Sequence, residues 1–166
     1  MIDVGSGCGR LALYAALTRG SPQQSWNVHG IEISPILHHE AVQALSRAMN
    51  GGHAVDFQPQ PGNNSCCNLF LHAGAAQEWK QVFATGHVVF AYSTAWETNG
   101  FSEEMGAMVI GREWSGLLSE SCPNGSVVIT TDRALDPAYG WQLVDRLNVD
   151  NREVMGSTGY IHVLKR

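Results

Sequence analysis

The sequence has no run of lysine or arginine, no Cys-x-x-Cys pair, no internal repeat and no apolar stretch near the length of a membrane span. Each absence excludes something. Lys and Arg number 10 against 15 Asp and Glu, a formal charge of −5. Nothing in that balance would by itself hold a nucleic-acid backbone. A membrane helix needs about 20 apolar residues, and none is present; nor does any segment read as a signal peptide. The four cysteines are Cys8, Cys66, Cys67 and Cys122. Their spacing reads as free thiols in a reducing compartment, neither a metal set nor a disulfide framework. His38 and His39 are adjacent on an expected helix, so they point about 100° apart and make a poor chelate. A chain of 166 residues is long enough for one domain with a core and too short for two.

What is present begins at once. Ile2 to Val4 is a short apolar strand carrying Asp3, followed by three alternating glycines, Gly5, Gly7 and Gly9, with Ser6 and Cys8 between them. A helical run, Leu11 to Thr18, comes next, with Gly20 as its stop. Strand, glycine turn and helix N-terminus make a nucleotide-type ligand site. Glycine lets the backbone turn sharply and approach a ligand, and the free N–H groups of the first helical turn face it. A dinucleotide fingerprint reads Gly-x-Gly-x-x-Gly. Here the third glycine comes one residue early, as Asp-x-Gly-x-Gly-x-Gly, which places a dehydrogenase low among the readings.

Along the chain, 21–25 reads as a polar loop and Trp26 to Ile33 as a second strand ending in Glu32. Ser34 caps a helix with Pro35 at its first position, and Leu37, Ala41, Leu45 and Ala48 line one face. Asn50-Gly51 ends it, and 51–64 reads as a surface insertion. Cys67 to His72 is a third strand, Gln77 to Phe83 a short helix, and His87 to Tyr92 a fourth strand. Ser102 is expected to cap a long helix, with Glu103 and Glu104 at its positive end and Met105, Met108, Val109 and Leu117 to Leu118 as its inner stripe. Pro123-Asn124-Gly125 is a turn before a fifth strand, Ser126 to Thr131. Trp141 to Val149 and Gly159 to Lys165 form a closing antiparallel pair. Alternating strands and helices imply a mostly parallel sheet with helices on both faces.

The spacing of the first motif resembles that of Rossmann-like, class I S-adenosylmethionine-dependent methyltransferases. Five βα units and a final hairpin match their seven-stranded α/β sheet. That resemblance implies S-adenosylmethionine as cofactor, with Gly5 to Gly9 cradling its amino acid end and Asp3 holding the loop or reaching the cofactor amine through water. Glu32, at the end of strand two, would take the ribose hydroxyls, with Ile33 beside it. Gly74 and Ala75 end strand three, where family members often carry an acid for the adenine amine; here adenine would be held by backbone and apolar contacts, with Trp79 either nearby or in the core. Tyr92, Ser93 and Trp96 follow strand four, where the methyl acceptor lies in the family. Tyr92 and Trp96 would wall an acceptor channel, lie over the sulfonium, or simply pack the sheet end. No Asn/Asp-Pro-Pro-aromatic sequence follows strand four, which argues against an amino-methylase of exocyclic base nitrogens.

A narrower likeness is carried by Asp3-Val4-Gly5-Ser6-Gly7-Cys8-Gly9, Gly30-Ile31-Glu32, Val88 to Ala91, Trp96, and Gly125 to Ile129 with Pro137 downstream. These are similar to the Dot-type histone lysine methyltransferases, which implies chromatin regulation and a nuclear location; otherwise the chain is expected to be intracellular and cytoplasmic. Departures from that pattern are Tyr92 and Ser93 in place of asparagine, Ala75 in place of an acid, and the absence of nucleosome-gripping basic segments. Such proteins normally carry helical sequence before their first strand, so the chain is expected to be a fragment, to come from an incompletely defined gene, or to have a partner complete its pocket. Three functions compete: methylation of a protein side chain (a histone lysine in the Dot-type reading), methylation of a small molecule, and a non-catalytic Rossmann-like binding module. Metal ligands and oligomeric state are not indicated.

Overall fold

The computed structural model describes residues 1–19, 26–49, 67–150 and 156–166. The expected features at Gly20, 21–25, Asn50-Gly51, 51–64 and Cys66 lie outside these residues. The chain falls into two compact units, Met1–Glu78 and Trp79–Arg166.

The first unit runs β1 (Ile2–Val4), α1 (Arg10–Arg19), β2 (Trp26–Glu32), α2 (Pro35–Met49) and β3 (Cys67–Ala73). Its strands lie in the order β3-β2-β1, all parallel, with Asp3 beside Gly30 and Glu32 beside Ala73. Small residues let α1 lie close to the sheet: Ala12 and Ala15 pack on Val28, flanked by Cys67 and Leu69. Ser34 caps α2 as expected, its Oγ accepting from the Leu37 N–H at 3.4 Å. The expected apolar stripe of α2 is narrower than its sequence suggests. Ala41 is buried, whereas Leu37 and Ala48 are exposed.

A 3-10 turn, Ala76–Trp79, leads into the second unit: α3 (Lys80–Phe83), β4 (Val88–Ala91), β5 (Thr98–Ser102), β6 (Ala107–Ile110), α4 (Arg112–Ser121), β7 (Val127–Thr131), β8 (Trp141–Val149) and β9 (Ser157–Leu164). β4 and β7 are parallel; β9 is antiparallel to both β7 and β8. Three parallel strands in one unit and four in the other, closed by an antiparallel hairpin, are the seven strands of the expected Rossmann-like α/β class.

The long helix expected from Ser102 is not there. Residues 98–110 form an antiparallel hairpin, β5 with β6, and the helix starts only at Arg112. The misleading signal is a real bond: Ser102 Oγ accepts from the Met105 N–H at 3.3 Å, the bond of a helix cap, but here it closes a turn. Gly100 and Gly106 hold φ of 129° and 60°, values a helix does not use. Ala107, Val109 and Ile110 are buried on the hairpin. β6 is tied to the chain after β7 by Ile110 N–H to Ala134 O and Ala134 N–H to Met108 O.

Candidate cofactor and acceptor sites

The turn after β1 is shaped by its glycines. Gly5, Gly7 and Gly9 all have positive φ, 72°, 55° and 77°, a region other residues enter at a cost of roughly 1–2 kcal/mol. The three differ in surroundings. A Cβ on Gly9 would sit 3.0 Å from the Ala41 Cβ of α2, so Gly9 is where two elements of the unit meet. A Cβ on Gly5 or Gly7 would meet nothing within 4 Å. Packing within the protein does not require glycine there; the loop presents bare backbone to open space. The Gly5 and Ser6 N–H groups both donate to Ile31 O, which lashes the loop to β2. Gly30 allows this approach, since a Cβ there would lie 3.0 Å from Ser6 Oγ.

Glu32 lies directly against this loop. Its Oε2 accepts from the Gly7 N–H and its Oε1 from the Ser34 N–H, each at 2.7 Å. The residue is only 6% exposed. Charge-assisted bonds of this kind are about twice as strong as neutral ones, and each carboxylate oxygen retains a further lone pair. Asp3 is buried beside it at 3% exposure. Burial pushes the Asp3 carboxyl up to about 6; the Ala12 N–H of α1 pulls it down and the Glu32 charge raises it further. Gly9, at the start of α1, has no side chain to cap the helix, and Asp3 serves one of its free N–H groups instead. Two buried carboxyl groups and a set of loop amides thus share one end of β1 and β2.

Around them, Ile33 is 70% exposed directly after Glu32. The Gly74 N–H, at φ 125°, donates to Glu32 O at 3.0 Å, so the end of β3 is fastened to the same strand end. Ala75 follows, its carbonyl accepting from the Glu78 N–H. Cys8 and Ser6 are half-buried within the loop.

In the second unit, Tyr92 is 54% exposed just past β4. Ser93 is fully buried, its Oγ donating to Thr131 O at 2.8 Å while its N–H donates to Thr131 Oγ1 at 3.0 Å. These bonds join the ends of β4 and β7 and leave Ser93 no solvent-facing surface. Trp96 stacks on Trp114 of α4, ring centroids 3.8 Å apart and planes 6° from parallel.

The sequence reading missed Ser34 N–H as a ligand of Glu32, Gly30 as the gap that admits Ser6, and Thr131 as the partner of Ser93. The first had a signal, because a helix-capping serine two residues after an acid puts a free amide beside it. The other two are pairings across strands, which no local pattern encodes.

No family profile and no curated protein matches the sequence. Solved structures do. An RNA methyltransferase from Salinibacter ruber, in complex with S-adenosyl-L-homocysteine, aligns with 99% of this chain and 80% of its own at 20% identity, TM-score 0.61. Magnesium protoporphyrin IX methyltransferase from Synechocystis PCC 6803, with bound SAM, aligns with 99% of this chain and 69% of its own at 14% identity, TM-score 0.58. The [4+2]-cyclase SpnF aligns with 98% of this chain and 73% of its own at 12% identity, TM-score 0.60. The chain has the Rossmann-like methyltransferase fold.

Proposed function

We propose that the chain is an S-adenosylmethionine-dependent methyltransferase. A [4+2]-cyclase has the same fold, so the fold alone does not carry this reading. The observation that carries it is the Glu32 carboxylate 2.7 Å from the Gly7 N–H, on a loop whose Gly5 and Gly7 face open space. The residues present fit the cofactor. Glu32 has lone pairs left for the two ribose hydroxyls, and Gly7 either shares that acceptor or yields it. Gly5 to Gly9 admit the amino acid end, and Asp3 is an acid whose ionisation a cation would favour. Ile33 offers apolar surface to adenine, and Gly74-Ala75 only backbone and a methyl group.

Bound there, the cofactor would supply a methyl group on a sulfonium, electrophilic without further activation. The chain's own work is alignment and exclusion of water. Tyr92 is the candidate wall for the acceptor. An aromatic wall would favour a neutral amine over an ammonium by desolvation. Ser93 acts as a positioning residue that fixes the β4 end, and Trp96, stacked on Trp114, stiffens the segment behind it.

For the acceptor, we place a small molecule ahead of a protein side chain. The sequence carries no run of Lys or Arg to grip a nucleosome or RNA backbone, and of the structures named above one is a porphyrin methyltransferase and one a [4+2]-cyclase. The histone lysine reading rests on the sequence likeness alone. Calorimetric titration with S-adenosylmethionine and S-adenosylhomocysteine tests the cofactor site. One-to-one binding is expected, weakened about tenfold or more by Glu32→Ala and abolished by Gly7→Arg, with circular dichroism confirming that both variants fold. Wild-type protein that binds neither ligand, or folded variants that bind as wild type does, would overturn the assignment.

A further inference from the structure

A concave site lies wholly within the second unit and includes no residue of the glycine loop. It is a cavity of about 590 Å³ between the β5–β6 turn and the first half of β8, within the roughly 300–1,000 Å³ of small-molecule sites. Its apolar wall is Met105 and Leu143, which pack on the buried cluster of Ala107, Ala134 and Tyr160, together with Trp141. Its charged groups are Glu104, Asp145 and Arg146, with Gln142 also on the lining.

Arg146 is there because β8 is irregular. Leu143 pairs with His162 and Arg146 with Tyr160, and the register shifts between Leu143 and Asp145. His162 and Tyr160 are two residues apart on β9 and therefore share a face. Leu143 and Arg146 are three apart and would point to opposite faces of a regular strand. The bulge turns both to the cavity side, as bulges do where a side chain must be re-aimed. The guanidinium reaches the opposite wall, its Nη1 3.5 Å from where a Cβ of Gly106 would stand. Among the described residues it has no carboxylate within ion-pair distance. Asp145 has one oxygen, Oδ1, taken by the Arg146 backbone N–H at 2.8 Å; its other oxygen and Glu104 remain for a cation.

We propose that this cavity binds a small zwitterion, an α-amino acid with an apolar side chain. Its carboxylate sits on the Arg146 fork, its ammonium between Glu104 and Asp145, and its side chain against Met105 and Leu143. A planar guanidinium takes a carboxylate through two parallel hydrogen bonds. One base beside two acids repels a simple anion, and a simple cation leaves Arg146 without a partner, so only a ligand with both charges satisfies all three groups. The site does not depend on the cofactor reading.

The test is calorimetric titration of the full chain with L-phenylalanine, 3-phenylpropionate, which lacks its ammonium group, and 2-phenylethylamine, which lacks its carboxylate. L-Phenylalanine is expected to bind with an affinity about tenfold or more above either analogue. Arg146→Gln is expected to remove the preference over the amine, and Glu104→Gln to reduce the preference over the acid. Glu104 and Arg146 are both exposed, so folding is retained. No binding of L-phenylalanine at about 10 mM overturns the proposal. So does equal binding of all three ligands, or of 3-phenylpropionate and L-phenylalanine alone, which would make this an organic-anion site. Titration with S-adenosylhomocysteine separates the two sites: its affinity should fall in Glu32→Ala and not in Arg146→Gln, and the reverse would contradict their independence.

Discussion

Replacing Asp3 with asparagine isolates the cost of burying its carboxyl, to which the neighbouring Glu32 charge adds. The carboxyl is 3% exposed and its pKa is pushed from 3.8 up to about 6, first by burial and then by the Glu32 charge, against the pull of the Ala12 N–H. A displacement of that size is worth about 3 kcal/mol against the ionised form. The sign follows from proton binding. Between about pH 4 and 6 the folded state holds a proton that the unfolded chain has released, so wild-type stability falls as pH rises through that window and stays low above it. Asparagine keeps an oxygen for the Ala12 N–H and has nothing to ionise. Urea unfolding of both proteins at pH 4, 5, 6 and 7 should show Asp3→Asn gaining about 3 kcal/mol on wild type from the acid end to neutrality. Other titrating groups are common to both proteins and cancel in the difference. A difference that is flat across this range, or that runs the other way, would refute the burial of the Asp3 carboxyl. Binding of a cationic ligand should also release the Asp3 proton, so cofactor affinity should rise with pH through the same window.

Glu32→Gln turns an NH2 group toward one of two backbone donors; it should cost about 1–3 kcal/mol and lower Tm by about 2–4 °C per kcal/mol, read by thermal unfolding. An unchanged Tm would mean that the carboxylate does not hold the Gly7 and Ser34 amides. Gly9→Ala should destabilise more than Gly5→Ala by about 1 kcal/mol or more, because both must hold positive φ but only the first crowds Ala41 at 3.0 Å; chemical denaturation compares them, and equal losses would contradict that contact. His162 is fully buried with Nε2 accepting from the Leu135 N–H at 3.0 Å, and burial lowers its pKa to about 4. Stability carried by the neutral ring is complete above the ordinary value of 6.5 and is lost as pH falls toward 4, about 3 kcal/mol in all; NMR titration should find the ring neutral at pH 5, and titration near 6.5 would refute its burial.

The first unit is legible in the sequence because its signals are local. Alternating glycines after a short strand, a serine and proline before α2, and an acid at the end of β2 each fix a few consecutive residues, and the structure reproduces them. What could not be read is set by pairing across the chain. Ser102 makes a capping bond, but whether it opens a helix or a turn is decided by Ala134, more than thirty residues on, which extends the hairpin. Gly100 and Gly106 argue against a helix, while the apolar spacing of Met105, Met108 and Val109 imitates one. Ser93 likewise reads as an acceptor-site residue after strand four, whereas Thr131 engages both its hydroxyl and its amide. Arg146 faces the cavity through a one-residue register shift against β9, which leaves no trace in β8 alone.

The central claim is that the glycine loop and Glu32 together hold an adenosyl ligand, and amide NMR during titration with S-adenosylhomocysteine tests it at the atoms concerned. The account predicts saturable shifts of the Gly5, Gly7, Gly9 and Ser34 N–H signals, with those of Gly125 and Gly140 unmoved. Loop amides that stay fixed while the ligand binds elsewhere, or no shift at saturating ligand, would contradict it.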